Sequence, residues 1–242
     1  MEYFLHTTDS IPTGEGFTHF DFTHITWLLF AVVLIALNCI LFQKLNPQKK
    51  AKWQKAIAWL IVLDELFKMI MLFIGGRYTV SYLPLHLCSI NIFIILWHAY
   101  RPSKVLDNFL YTVCIPGAVA ALLFPTWTKL PVLNFMHLHS ETIHILLAMY
   151  PIVLAVNGRL SLSWKTIPKS MGLLLVMAIP IYGINLLLNT NFMFLMKADQ
   201  GNPLYWFAEH WGNHLLGFPV IIFAVLVVMY LPLTVYSHLK KG

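Results

Sequence analysis

Three histidines and a glutamate occupy eight positions in HLHSETIH, residues 137–144, at the head of a run that is otherwise apolar to Pro151. On a helix the residues at i, i+3, i+4 and i+7 share a face, so His137, Ser140, Glu141 and His144 form one polar stripe and His139 points elsewhere. At 1.5 Å per residue His144 lies about 10 Å further along the axis than His137. A carboxylate one turn from an imidazole can hold one ring nitrogen and leave the other as a general base, which makes His144 the candidate base and Glu141 its orienter.

A second group of reactive side chains lies in SYLPLHLCSINIFIILW, where Ser81, Pro84, Cys88 and Asn91 fall on one face of a helix and His86 is turned away from Cys88. Buried free cysteines are often inert, and Cys39 and Cys114 read that way; the neighbouring proline, which frees a carbonyl, favours a working role for Cys88. Asp64, Glu65 and Lys68 sit within one turn of each other and read as a structural ion pair. Tyr182, Asn185 and Asn189 share a further stripe, suited to interhelical hydrogen bonding and, for Tyr182 and Asn185, to substrate contact. EHWGNH spaces His210 and His214 at i, i+4, so that with His137 they form a possible zinc set.

These groups need helices in a membrane to hold them. Of the 242 residues 59% are hydrophobic and 11% charged, far below the charged share of a soluble domain. Seven apolar runs are long enough to cross a bilayer, at 24–43, 53–74, 79–99, 108–125, 137–156, 167–188 and 215–237. None alternates as a barrel strand would, which predicts an all-α polytopic bundle of seven transmembrane helices forming a single integral membrane domain. Lys44, Lys49, Lys50, Lys52, Lys55, Arg101, Lys104, Arg159, Lys165, Lys169, Lys240 and Lys241 all fall on one side of that arrangement, while the N-terminal tail is acidic. The positive-inside rule then places the N-terminus outside and the C-terminus inside the cell membrane. The net charge of +6 is accounted for by this topology and by anionic lipid, without a nucleic-acid partner.

On that topology most histidines gather at the outer end, which predicts a polar cavity opening outward. His6, His19, His98 and His238 read instead as head-group histidines. The aromatic-rich stretch 189–214 reads as a cap over the outer face.

LPLHLC, PGAVAALLFP, the His144 stripe leading to MYP, and NLLLNTNFMFL resemble the YwaF-type bacterial integral membrane proteins over nearly the whole chain. These are similar to the animal transmembrane protein 164 family of phospholipid acyltransferases, which use a cysteine and a histidine. The resemblance implies that His144 is the base, by its spacing after the GA..ALLFP element, and it aligns the animal cysteine with Leu85, three residues before Cys88. It implies acyl transfer between phospholipid and lysophospholipid at the outer leaflet; either the nucleophile has moved one turn to Cys88 or no covalent cysteine step is used, and in the covalent version Glu141 fixes the His144 tautomer and Asn91, His86 or a backbone N–H freed at Pro84 serves the oxyanion. His137, Tyr182 and Asn185 complete the expected substrate contacts, and no cofactor is required. Two other classes remain open: a zinc-dependent lipid hydrolase built on His210, His214 and His137, and a transporter or ligand-binding membrane protein.

Overall fold

The structure, a computed structural model, describes residues 2–198 and 202–239, with side chains as far as Thr234. Of the residues named above, His238 lies outside the described side chains, and Lys240 and Lys241 lie outside the described residues. The elements are all helical: α1 (Phe22–Gln43), α2 (Pro47–Ile74), α3 (Leu87–Tyr100), α4 (Lys104–Phe109), α5 (Ile115–Leu123), α6 (Phe135–Val156), α7 (Ile167–Leu188), α8 (Pro203–Trp211) and α9 (Gly217–Leu239). They fall into two compact units, Met1–Ser161 and Leu162–Gly242.

Among the described residues five stretches are long and apolar enough to span a bilayer: Phe22–Gln43, Lys104–Leu123, Phe135–Val156, Trp164–Leu188 and His214–Thr234. The expected 79–99 span is corrected. Residues 79–86 form a short 3-10 turn and bends, and α3 itself has 14 residues, too few for a hydrocarbon core about 30 Å thick. Pro84 is the physical reason, because a proline disfavours helical geometry in the residue before it and Leu83 is accordingly extended, with ψ 142°. Ser81 and Pro84 therefore precede the helix rather than sharing a face with Cys88. The 28-residue α2 is long enough but carries Asp64, Glu65 and Lys68 within its apolar part.

In the first unit α6 is the central element, buried from Ile145 to Pro151 without interruption, and it packs against α1, α2, α3 and α5. The opposite balance holds for α1, whose Leu29, Val32, Val33 and Leu37 are exposed while Ala31 packs on Leu122 and Ile145. Apolar exposure of that kind suits lipid, where close packing through small residues, rather than the hydrophobic effect, joins helices.

Between α4 and α5 the chain widens into a π turn, Leu110–Cys114, closed by the Ile115 N–H on the Leu110 carbonyl. Pro116 explains it: the ring has no N–H to give and would press on the carbonyl one turn back, so the wider turn relieves the clash.

Two ends of this unit differ in character. At one end α1 stops, α2 starts, α3 stops and α4 starts, with the basic residues 44–55, Arg101 and Lys104 between them. At the other, the N-terminal segment lies across the end of α2 and the loop before α6. The buried Asn134 donates to the Tyr3 and His6 carbonyls at 2.7 and 2.8 Å and caps α6 by accepting from Met136 and His137. The Phe17 N–H donates to the Thr128 carbonyl at 2.8 Å, and Gly16 approaches Thr128 so closely that a Cβ there would collide with its backbone. This segment, not anticipated from sequence, covers the His144 end of the unit.

Candidate functional site

On α2, Lys68 binds Glu65 at 2.5 Å, and both are buried. Asp64 and Glu65 bracket His139 of α6, each carboxylate 3.5 Å from a different ring nitrogen, and Thr142 donates to Asp64 at 2.9 Å. So the residue assigned away from the polar stripe faces α2, and Thr142 supplies a hydrogen bond between the two helices. The same Lys68 ammonium interacts electrostatically with His86, Cys88 and His144, which come from the start of α3 and from α6.

The His144 ring is held on two sides. Its Nδ1 donates to the Ser140 carbonyl at 2.6 Å, and its face stacks on Trp127 with centroids 5.1 Å apart and planes 7° from parallel. A carbonyl oxygen can only accept, so Nδ1 carries the proton and Nε2 presents a lone pair. Glu141 was expected to perform that orienting task; instead its buried carboxylate accepts from Trp127 Nε1 at 3.0 Å. Trp127, which sequence reasoning missed, therefore touches both residues. Only its place in the loop before α6, in FPTWTKLP, hinted at it.

His86 occupies the N-cap position of α3 without a side-chain capping bond, and Cys88 follows in the first turn, where unpaired N–H groups carry partial positive charge. Glu65 acts on Cys88 together with Lys68. Leu85, the position aligned with the animal cysteine, lies in the bend before the helix and offers no nucleophile. Asn91, one turn beyond Cys88, is 2% exposed and its Oδ1 has no partner. His137 is fully enclosed, with Nδ1 3.3 Å from the Leu130 carbonyl and Phe17 and Trp27 against its ring. His24 is structural: it accepts from the Phe20 N–H at 2.8 Å and donates to the Leu122 carbonyl at 2.7 Å, tying α1 to α5.

At the basic end, His98 overturns its head-group reading, because it is only 2% exposed. Nε2 donates to Asp107 at 2.8 Å, the Tyr150 hydroxyl meets Nδ1 at 2.8 Å, and Asp107 also accepts from the Ser161 N–H. With both nitrogens satisfied by protein the ring needs no water. An acid in VLDNFLY and a tyrosine in MYP were the available signals.

The second unit holds the remaining candidates. Tyr182 is 43% exposed, whereas Asn185 spends its whole amide on its own loop, donating to the Phe192 carbonyl and accepting from Thr190 and the Phe192 N–H. Asn189 ends α7 in the left-handed region at φ 52°. The i, i+4 spacing of His210 and His214 does not place them on one helix face, because α8 ends at Trp211 and Gly212 turns the chain at φ +71°. His210 instead bonds the Trp206 carbonyl and His214 the Phe194 carbonyl. Among the described residues no group of three or more His, Cys, Asp or Glu side chains is placed to hold a metal ion.

The model of the TMEM164 family matches residues 19–230 of the chain. No curated protein and no solved structure matches it.

Proposed function

Since the chain belongs to the TMEM164 family and has, among its described residues, five helical stretches fit to cross a bilayer, we propose that its first unit is a membrane-embedded acyltransferase or transacylase acting on phospholipid and lysophospholipid. The observation that supports this reading is the His144 ring, whose Nδ1 donates to the Ser140 carbonyl and whose face rests on Trp127, so that Nε2 is the nitrogen left to act as a base. His144 supplies the base at Nε2, since Ser140 fixes the proton on Nδ1.

The Cys88 thiol gives its proton to His144 Nε2, and the thiolate attacks the ester carbonyl of the donor phospholipid. The carbon–oxygen bond breaks, the leaving lysolipid oxygen takes the proton back from His144, and the acyl group rests on sulfur as a thioester. A second lysolipid hydroxyl then attacks that thioester and gives its proton to Nε2; the carbon–sulfur bond breaks as the new ester forms, and the Cys88 thiolate takes the proton back from His144. Lys68 and the N–H groups at the start of α3 offset the negative charge that develops on sulfur and on the carbonyl oxygen. Asn91, with a buried and unpartnered amide oxygen, is the side chain one turn away whose reorientation can present an N–H to that oxyanion. The reaction is placed at the outer leaflet of the cell membrane, following the charge asymmetry of the loops.

The test is acyl exchange by the purified full chain in vesicles, with labelled phosphatidylcholine as donor and a lysophospholipid as acceptor. Cys88→Ala and His144→Ala are each expected to lower exchange at least 100-fold, the scale of losing an activated nucleophile or its base. Full exchange in Cys88→Ala overturns the covalent route, and release of free fatty acid without exchange overturns transfer in favour of hydrolysis.

A further inference from the structure

Away from His144, at the basic end of the first unit, a shallow open groove lies between α2 and α3, lined by Trp59, Phe93, Leu96, Trp97, Tyr100 and Arg101. Phe93, Leu96, Trp97 and Tyr100 stand at i, i+3, i+4 and i+7 of α3, one continuous stripe, and Trp59 of α2 forms the facing wall. The four aromatic residues are between 48% and 54% exposed. Trp59 Nε1 donates to the Tyr100 hydroxyl at 2.9 Å, and the Lys55 ammonium sits 4.6 Å from the Tyr100 ring centre. Arg101 is exposed at the mouth, and among the described residues no carboxylate pairs with it. Asp107, the acid closest to it in sequence, is turned inward onto His98 and Ser161.

We propose that this groove is a binding site for one anionic phospholipid, distinct from the acyl-transfer site, with an acyl chain along the aromatic stripe and the phosphate between Arg101 and Lys55. The stripe runs about 10 Å at 1.5 Å per residue, which is room for the upper part of a chain. Its walls carry apolar surface for that chain, while two cations at one end have no acidic partner in the groove, so the surface is complementary to a lipid with a negative head group. Aromatic residues beside basic ones at helix ends are the arrangement that holds a protein at the level of lipid phosphates.

The experiment is native mass spectrometry of the purified full chain in detergent, titrated separately with phosphatidylglycerol, phosphatidylcholine and soluble glycerol 3-phosphate. The unmodified protein is expected to retain one phosphatidylglycerol at about fivefold lower concentration than phosphatidylcholine, the effect of about one cation on an anionic head group. Arg101→Gln is expected to remove that preference without changing phosphatidylcholine binding, Trp97→Ala to weaken both lipids, and Lys49→Gln, outside the groove, to change neither. Equal retention of the two lipids by the unmodified protein overturns the proposal. So does an equal loss in Lys49→Gln and Arg101→Gln, which would mean diffuse attraction. Occupancy by glycerol 3-phosphate at the concentration that suffices for phosphatidylglycerol would show an anion site with no need for a lipid chain, and would also overturn it.

Discussion

Trp127 does two things at once: its face supports the His144 ring, and its N–H satisfies the buried Glu141 carboxylate. These roles separate by substitution. Trp127→Phe keeps a flat ring for stacking but leaves Glu141 without its donor, which costs about 1–2 kcal/mol for a buried acceptor. Trp127→Ala loses the stacking as well. The expected outcome is a lowered melting temperature for both variants, measured in detergent, with acyl exchange close to normal in Trp127→Phe and about tenfold lower in Trp127→Ala. Equal exchange in the two variants would remove the positioning role from the stacked face. The residue scale also shows where sequence periodicity stops being informative. His144 and Glu141 do share a helix face, but facing alike is not bonding: the imidazole takes the Ser140 carbonyl and the carboxylate takes a loop indole. Which acceptor a ring chooses depends on distances of a few tenths of an ångström, and spacing along a chain does not encode those.

Helices α2 and α6 meet through polar side chains as well as apolar packing, since Thr142 donates to Asp64 and the Asp64 and Glu65 carboxylates lie either side of His139, while within α2 Lys68 binds Glu65. Removing one partner of a buried pair is far more damaging than removing both. Lys68→Met is expected to destabilise the protein by about 3–5 kcal/mol, whereas Glu65→Leu with Lys68→Met is expected to recover much of that loss in thermal unfolding. If the double variant melts no higher than the single one, the pair is not the interaction that matters there. Most of the helices were legible in the chain because apolar runs about 20 residues long leave few other structures open in a bilayer. Two departures have local causes. Pro84 delays the start of α3 to Leu87, and Pro116 forces a π turn at Leu110–Cys114 inside a run that reads as unbroken helix. Asp21 illustrates a start signal that is plain in sequence: its carboxyl, held below the usual carboxylate range by the His24 and Thr18 N–H groups, caps α1. Because that value is lowered on folding, the cap contributes above the ordinary carboxylate range and is lost as pH falls through the lowered value.

Across the first unit, chemistry concentrates at two ends with opposite character. One end holds His144, Cys88 and Lys68 beneath an N-terminal segment pinned by Asn134 and by the close approach of Gly16 to Thr128. The other carries the basic loops, the aromatic groove and the buried Asp107–His98–Tyr150 chain. The HLHSETIH cluster marks the first end in sequence; the covering segment leaves no such mark, because its contacts join residues more than 100 positions apart. The second end was misread for a related reason, since His98 near a helix end looks like a head-group residue until Asp107 and Tyr150 arrive from other helices. The first end serves the proposed reaction through the thiol at 88, which must carry the acyl group. That is measured directly by intact-protein mass spectrometry after brief incubation of the purified chain with phospholipid and no lysolipid acceptor. The expected result is one added acyl mass that maps to Cys88, is released by hydroxylamine as a thioester would be, and is absent from Cys88→Ala. Exchange proceeding in the same preparation with no acyl mass on any cysteine would contradict the account.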